Sequence, residues 1–487
     1  MIKQLLFFLL VCFLTPIVCS AQDGLFYGDE NYQGGYRIKP TRNNGFFIGG
    51  WNDRFEKNNS LDYYVLRFDD HGHLLWDSIY GRHPITDFLW SIEPTSDNGA
   101  LLAGYSGVQF SGAEEALMYK IDSNGAIVTK FTVDYSRADH SHWFKQAPDG
   151  NYFWAGHTDS KGDAAGDIIA SKLDMNLNVI WEKTYGFAGT GEHAHSAALT
   201  DNGGLILAGH TDVNGYEKIY AVKVDASGNE LWHKIYGSGD KAGDSPYEVV
   251  VTKEGNYAFF GGSSVSGSQS TFWLLVTDTT GKILISQHYG SGYSYSQGGA
   301  QTSDSGFIVV GYTALPTDKN YSALVVKTDK EGTVQWQKTF GNADGEAAYG
   351  VMQRGSQYLV VGEAPQADGK NNDVWLLVLD ENGELTSLDT TLAGVNHPIS
   401  RSEPDLLAYP NPCADHTIIQ YWLPERQNVE LIVTGISGEV VKHTGLGYRE
   451  AGYHYQPLST SDLSNGTYYI TLRTADKSQT QKIIVSK

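Results

Sequence analysis

Apolar residues along this chain fall in short runs separated by clusters of Asp, Asn, Gly and Ser, and the pattern recurs with a period of about 52 residues. In the fourth copy the runs are Ser196 to Thr200 and Leu205 to Gly209, split by Asp201-Asn202-Gly203. After a polar loop come Ile219 to Val224, the turn Asp225 to Gly228, and Glu230 to Tyr236. This predicts four strands per period, with tight turns joining the first to the second and the third to the fourth. No segment keeps a 3.6-residue period for three turns, so helices are not expected. Four strands in a period of roughly 40–50 residues is the pattern of a β-propeller blade.

Seven copies are countable. Asp followed three residues later by Gly occurs at Asp69/Gly72, Asp122/Gly125, Asp225/Gly228, Asp278/Gly281, Asp329/Gly332 and Asp380/Gly383; the remaining copy, Asp174 to Leu177, lacks the Gly. Successive Asp residues lie 51 to 53 positions apart. Trp stands seven residues after the Asp in four copies (Trp76, Trp181, Trp232, Trp336), and Tyr-Gly or Phe-Gly closes most fourth strands, as at Tyr185-Gly186 and Phe340-Gly341. The last copy stops after Gly383, while an orphan Leu25-Phe26-Tyr27-Gly28 precedes the first. The expected fold is therefore an all-β, seven-bladed propeller over residues 22–392, its amino-terminal strand completing the last blade and removing the open edges. The wording from Gly306 to Gly341, with its Gly-Phe-Ile-Val-Val-Gly opening and Trp-Gln-Lys-Thr-Phe-Gly close, resembles repeats of secreted bacterial propeller proteins. That resemblance implies fold and no activity.

The two ends read differently. Lys3, the apolar run Leu5 to Leu14, Pro16 and Cys19-Ser20-Ala21 have the layout of a signal peptide over residues 1–21, and the run is too short to span a bilayer. No later run is long enough either. At the other end the repeat stops, residues 393–404 read as linker, and residues 405–487 carry short alternating strands of a small Ig-like β-sandwich. The expected strands are Thr417 to Leu423, Val429 to Val433, Glu439 to His443, Tyr468 to Arg473 and Lys482 to Val485. Fold alone would also allow an adhesive or carbohydrate-binding sandwich.

The motifs narrow this. Tyr409-Pro410-Asn411-Pro412, Ile419 to Pro424, Ala451-Gly452-Tyr453-His454, Leu463 to Tyr469 with Gly466 and Tyr468, and the closing Lys482 to Lys487 stand in order at the end of the chain. This tail resembles the C-terminal sorting domain of type IX secretion cargo of the Bacteroidetes group. The resemblance implies passage through the outer membrane by the type IX machinery, removal of the tail by a sortase-like peptidase, and a protein that is secreted or held at the outer-membrane surface. Cys413 departs from the aromatic or aliphatic residue common in that family, and it is a lone thiol once Cys12 and Cys19 leave with the signal.

Composition excludes some partners. With 35 Lys and Arg against 56 Asp and Glu the net charge is −21, which disfavours nucleic acid or anionic lipid. Residues 403–487 hold 9 acidic and 7 basic residues, so the acidity belongs to the repeats. A 41% hydrophobic and 19% charged chain is globular rather than disordered. It is expected to be monomeric.

A residue present in most copies answers a packing problem shared by all blades. The Asp anchors read as turn heads rather than calcium ligands, since Asp-x-x-Gly lacks the dense carboxylates of a calcium loop. Recurring acids at Asp87, Asp139, Glu192, Asp244 and Glu346 could ring the channel mouth as an acid–base set, or serve structure. Two copies differ from the rest. His140 and His142 enter the third blade and His193 and His195 the fourth, with His157 and His210 at equivalent later positions. Residues two apart on a strand share a side, so these imidazoles could jointly hold zinc. No nucleophile elbow, phosphate loop or redox Cys pair is present. Polar loops on one face, with Trp51, Trp90, Trp143, Tyr216, Tyr247, Tyr293 and Tyr295 nearby, suit a glycan or protein ligand. A binding module is the first expectation, a polysaccharide hydrolase or lyase with a His-rich metal site the second, and a surface scaffold the third.

Overall fold

The computed structural model describes residues 18–19, 24–388 and 406–487, apart from 29–30, 54–59, 82–84, 108–113, 134–136, 164, 240, 266–268, 315–319, 342–343, 366–370, 410–412, 415, 424–425, 450–451 and 475–477. The expected signal peptide and linker thus fall outside the description, except that Val18–Cys19 lies parallel to Thr339 and Phe340. Among the described residues there is no helix, and so none long and apolar enough to cross a membrane. Two compact units divide the chain, with the change near residue 392.

The first unit is built of four-stranded sheets laid down in chain order. Tyr32–Pro40, Phe46–Asp53, Asp62–Phe68 and Leu74–Tyr80 form one antiparallel sheet, and the arrangement recurs from Thr86–Pro94, Asp139–Gln146 and Glu192–Leu199. Ala242–Val251 to Ile283–Tyr289 and Tyr293–Gln301 to Val334–Phe340 are two further four-strand runs, joined by a single parallel bridge between Ser270 and Tyr293. In the last sheet Leu25–Tyr27 is the outer strand, with Leu25 opposite Leu376 and Tyr27 opposite Val374. The expected amino-terminal fastening strand is therefore in place.

Sheet packs on sheet through alternating apolar residues. Ile38, Ile48 and Leu66 of the first sheet share a core with Leu359, Val361, Val374 and Leu376 of the last, so the two chain ends of the repeat region meet. Each such buried Leu, Ile or Val contributes about 1.5–3 kcal/mol relative to exposure.

The repeated anchors form brackets between neighbouring sheets. Asp225 Oδ1 accepts the Ser227 and Asn229 amides, both at 2.8 Å, and Gly228 takes φ +72° to complete the turn. Trp181 of the preceding sheet reaches that turn, its indole donating to Ala226 O at 3.0 Å, while Tyr185 donates to Gly228 O at 2.8 Å. A Cβ on Gly228 would stand 2.8 Å from the Trp181 ring, so glycine is required there for space as well as for φ. The same pair of bonds recurs one sheet on, from Trp232 to Thr279 O and Tyr236 to Gly281 O. In the deviant copy Leu177 itself adopts φ +66°, a strained conformation that keeps the turn.

The second unit has two sheets around one core. Leu407–Tyr409, His416–Leu423 and Gly452–Ser459 make three strands; Val440–Arg449, Gln427–Gly435, Gly466–Arg473 and Ser478–Val485 make four. Leu407–Tyr409 and Gly452–Ser459 were not expected; Pro457 and the flanking His454 and Gln456 mask an edge-strand pattern. Cys413 is a core residue between the sheets, its amide donating to Ile484 O at 2.8 Å, and burial raises its thiol pKa. That is the setting of an inert thiol.

Candidate functional site at the channel mouth

In each sheet of the first unit the innermost strand carries a β-bulge at the same place, where one residue is left without a partner across the strand pair. These residues are Tyr36, Trp90, His142, His195, Tyr247, Gln297 and Tyr349. A bulge bends the strand and re-aims the extra side chain. The result is a nearly continuous circle of rings. Centroid separations are 5.6 Å for Tyr349–Tyr36, 5.5 Å for Tyr36–Trp90, 5.0 Å for Trp90–His142, 5.8 Å for His142–His195 and 5.4 Å for His195–Tyr247.

A second tier lies where the inner strands begin and the second strands end. His140 is opposite His157, and His193 opposite His210, as the matching positions in the two sheets suggested. The rings form a column: Tyr105–His140 at 4.5 Å, His140–His157 at 6.1 Å, His157–His193 at 3.9 Å and His193–His210 at 5.1 Å. It joins the first tier where His195 Nε2 lies 2.9 Å from His210 Nδ1. Polar groups tie its far side, with His157 Nε2 at 2.8 Å from Asp159 Oδ1 and Ser245 Oγ donating to Glu217 at 2.9 Å.

Burial disfavours the charged form of His140, His193 and His210 in this column. It pulls the pKa of His140 down to about 4 and that of His193 to about 3, with neighbouring imidazoles adding to the effect. His142 and His195 lie well below the ordinary value for the same reason. His140 Nε2 and Trp90 Nε1 are buried with no hydrogen-bond partner among the described residues. His140, His142, His193 and His195 are thus brought together, with His140 and His142 tilted by 46° and His142 and His195 edge to face at 81°, and no three His, Cys, Asp or Glu among the described residues stand as a ready metal-binding group.

Below the circle the channel turns polar. Arg37, buried at 6% exposure, spans it and donates to the carbonyls of Tyr36 (3.2 Å), Tyr349 (3.1 Å), Gln297 (3.4 Å) and Tyr247 (3.3 Å). All four acceptors are bulge residues. Lys39 lies between Glu248 at 2.9 Å and Glu93 at 3.8 Å, and Lys145 reaches Glu93 at 3.0 Å.

Other expected residues take different places. Asp87, Asp139, Glu192, Asp244 and Glu346 do not ring the mouth as an acid–base set; all are at most 1% exposed. Asp139 accepts from Thr158 at 2.5 Å and Glu192 from Thr211 at 2.5 Å, clamping first strands to second, while Asp244 pairs with Lys218. Trp143 is core, and Trp51 is stacked on Phe88. Tyr293, 44% exposed, continues outward through Tyr295 and Tyr312 as a stacked row. In the tail Tyr409 pairs with Ile418, Gly466 with Val485 and Tyr468 with Ile483; Lys482 is opposite Tyr469, and the Lys487 amide donates to Asn465 at 2.9 Å. Pro410, Asn411 and Pro412 lie outside the described residues.

Comparison with known proteins bears on both units. No curated protein sequence matches this chain. Among solved structures it is similar to an ulvan lyase, a polysaccharide lyase bound to an oligosaccharide (10% identity, 76% of this chain and 99% of that one, TM-score 0.50). It is also similar to PorZ, a type IX secretion component of Porphyromonas gingivalis (11% identity, 93% and 70%, TM-score 0.39). A third is the β-propeller domain of a protease from Pyrococcus furiosus (11% identity, 76% and 99%, TM-score 0.38). At such identities these likenesses concern the fold alone. Residues 407–486 match the family described as the secretion system C-terminal sorting domain. The chain is thus an all-β, propeller-like protein carrying a type IX sorting tail, and that tail addresses it to the cell surface or the extracellular space.

Proposed function

We propose that this protein is a surface glycan-binding propeller of seven blades, with residues 22–392 as the propeller, 393–404 as linker and an Ig-like sorting domain over 405–487. Residues 1–21 act as its signal peptide. The carrying observation is the two-tier ring surface at the channel mouth. Sugar rings stack on aromatic faces through their C–H surfaces, and the half-exposed Tyr293 carries that ring surface outward.

A hydrolase or lyase with zinc at His140, His142, His193 and His195 is the competing reading. It is favoured by neutral imidazoles, the form that ligates metal, but would require rotating rings out of their stacks. The mature chain incubated with a polysaccharide panel, with and without zinc, separates the readings. Retention of intact polymer, unaffected by chelation and weakened about tenfold by Tyr293→Ala with Tyr295→Ala, is expected. New reducing ends that vanish on chelation would overturn it in favour of the enzyme, and neither signal would favour a scaffold for proteins.

The tail's role has its own test. Deleting residues 403–487 is expected to hold the protein in the periplasm, read by fractionation and surface labelling. Normal surface display of the truncated chain would contradict the sorting assignment.

A further inference from the structure

Beneath the ring circle, and roofed by its Trp90, His142 and His195, the channel encloses a cavity of about 250 Å³. Its lining is charged and unbalanced. Arg37, Lys39 and Lys145 face Glu93 and Glu248, while His142 and His195 on its upper side are held neutral by burial. The two carboxylates are already engaged. Glu248 accepts from Lys39 at 2.9 Å and from the Gly299 amide at 3.2 Å, and Glu93 is shared between Lys39 and Lys145. Among the described residues Arg37 bonds only to neutral carbonyls; its nearest counter-charge, Glu248, feels it electrostatically but is bonded to Lys39 instead. Glycines make room for it: a Cβ on Gly350 would meet the Arg37 Cα at 3.2 Å, and one on Gly298 would meet Tyr349 O at 2.7 Å.

A second hollow of about 490 Å³ shares Lys39, Glu93 and Lys145 with the first and adds the exposed Arg42, giving access from the side opposite the mouth. Four cations therefore line the route against two carboxylates, in a protein whose net charge is −21. A buried cation that shares its counter-charge with another is incompletely compensated, and a guanidinium with donors to spare is suited to planar or tetrahedral oxyanions. We infer that this lower channel is a binding site for a small oxyanion, a carboxylate, sulfate or phosphate group, held by Arg37, Lys39 and Lys145. The first cavity is below the range of about 300–1,000 Å³ that houses drug-sized ligands, so the occupant is an ion or a single charged residue.

Thermal unfolding of the mature chain at matched ionic strength tests this, with sulfate, phosphate and glucuronate as probes and neutral glucose as control. At least one oxyanion is expected to raise the midpoint in a saturable way that glucose does not reproduce. Lys145→Gln, half-exposed and tolerant of change, is expected to weaken that anion's Kd about tenfold. Tyr295→Ala, on the glycan surface, should leave it unchanged, so failure here and failure of the glycan reading are distinguishable. Equal midpoint shifts in the parent and Lys145→Gln would mean a general salt effect on burial and would overturn the site, as would no shift with any oxyanion.

Discussion

Acidification from pH 7 to pH 5 is expected to destabilise the repeat unit steeply, before its carboxylates titrate. His140 and His193 have folded-state pKa values of about 4 and about 3, against roughly 6.5 in an unfolded chain. The folded form binds the proton more weakly, so its stability is complete above about pH 6.5 and is lost as pH falls toward 4. Each such imidazole costs about 1.4 kcal/mol per pH unit across that window, or about 2 kcal/mol by pH 5. His142 and His195 act in the same direction, and these four neighbouring imidazoles titrate as a coupled set rather than additively. Against a typical stability of about 5–15 kcal/mol this is a large fraction. Urea midpoints between pH 7.5 and 5 measure it. His193→Asn should flatten the slope by about one proton; a parent chain with no slope in this window would refute neutral burial of these four imidazoles.

Replacing Arg37 is expected to be as damaging. Arg37→Ala removes the donors to four bulge carbonyls on four inner strands and leaves the cross-channel space unfilled. Charged hydrogen bonds contribute about 1.5–3 kcal/mol each when isolated, but water can enter from the polar side, so a net loss of about 3 kcal/mol is expected. Arg37→Lys should recover only part of it, because an ammonium cannot fork between carbonyls on different strands. Chemical denaturation of the three proteins side by side measures this. An alanine variant within about 0.5 kcal/mol of the parent would show that Arg37 merely occupies the channel.

Much of the scaffold was legible because each sheet solves the same problem with the same residues. Asp at a turn head, Gly three later, and Trp and Tyr reaching the next turn are local chemistry, and they reappear as bonds such as Trp181 to Ala226 O. Even the missing Gly at Leu177 kept its turn, since neighbouring contacts offset one strained φ. The paired histidines were legible for a similar reason: equivalent positions in adjacent copies are adjacent in space.

The circle of bulge residues was not. A bulge is a property of two strands in register, and no single copy taken alone announces it. A signal did exist: the third residue after each recurring acid is Trp90, His142, His195, Tyr247 or Tyr349. The acids themselves are buried clamps, the structural one of the two roles their recurrence allowed. Arg37 was invisible because it occurs in one copy and its partners are carbonyls, which carry no side-chain pattern.

The central claim is that the ring surface at the channel mouth receives the ligand. A crystal structure of the mature chain with whichever polysaccharide it retains tests this most directly. Sugar density stacked over the Tyr293–Tyr295 row and the His193–His210 column is expected. Sugar bound on the outer strands or the tail, with the mouth bare, would contradict it.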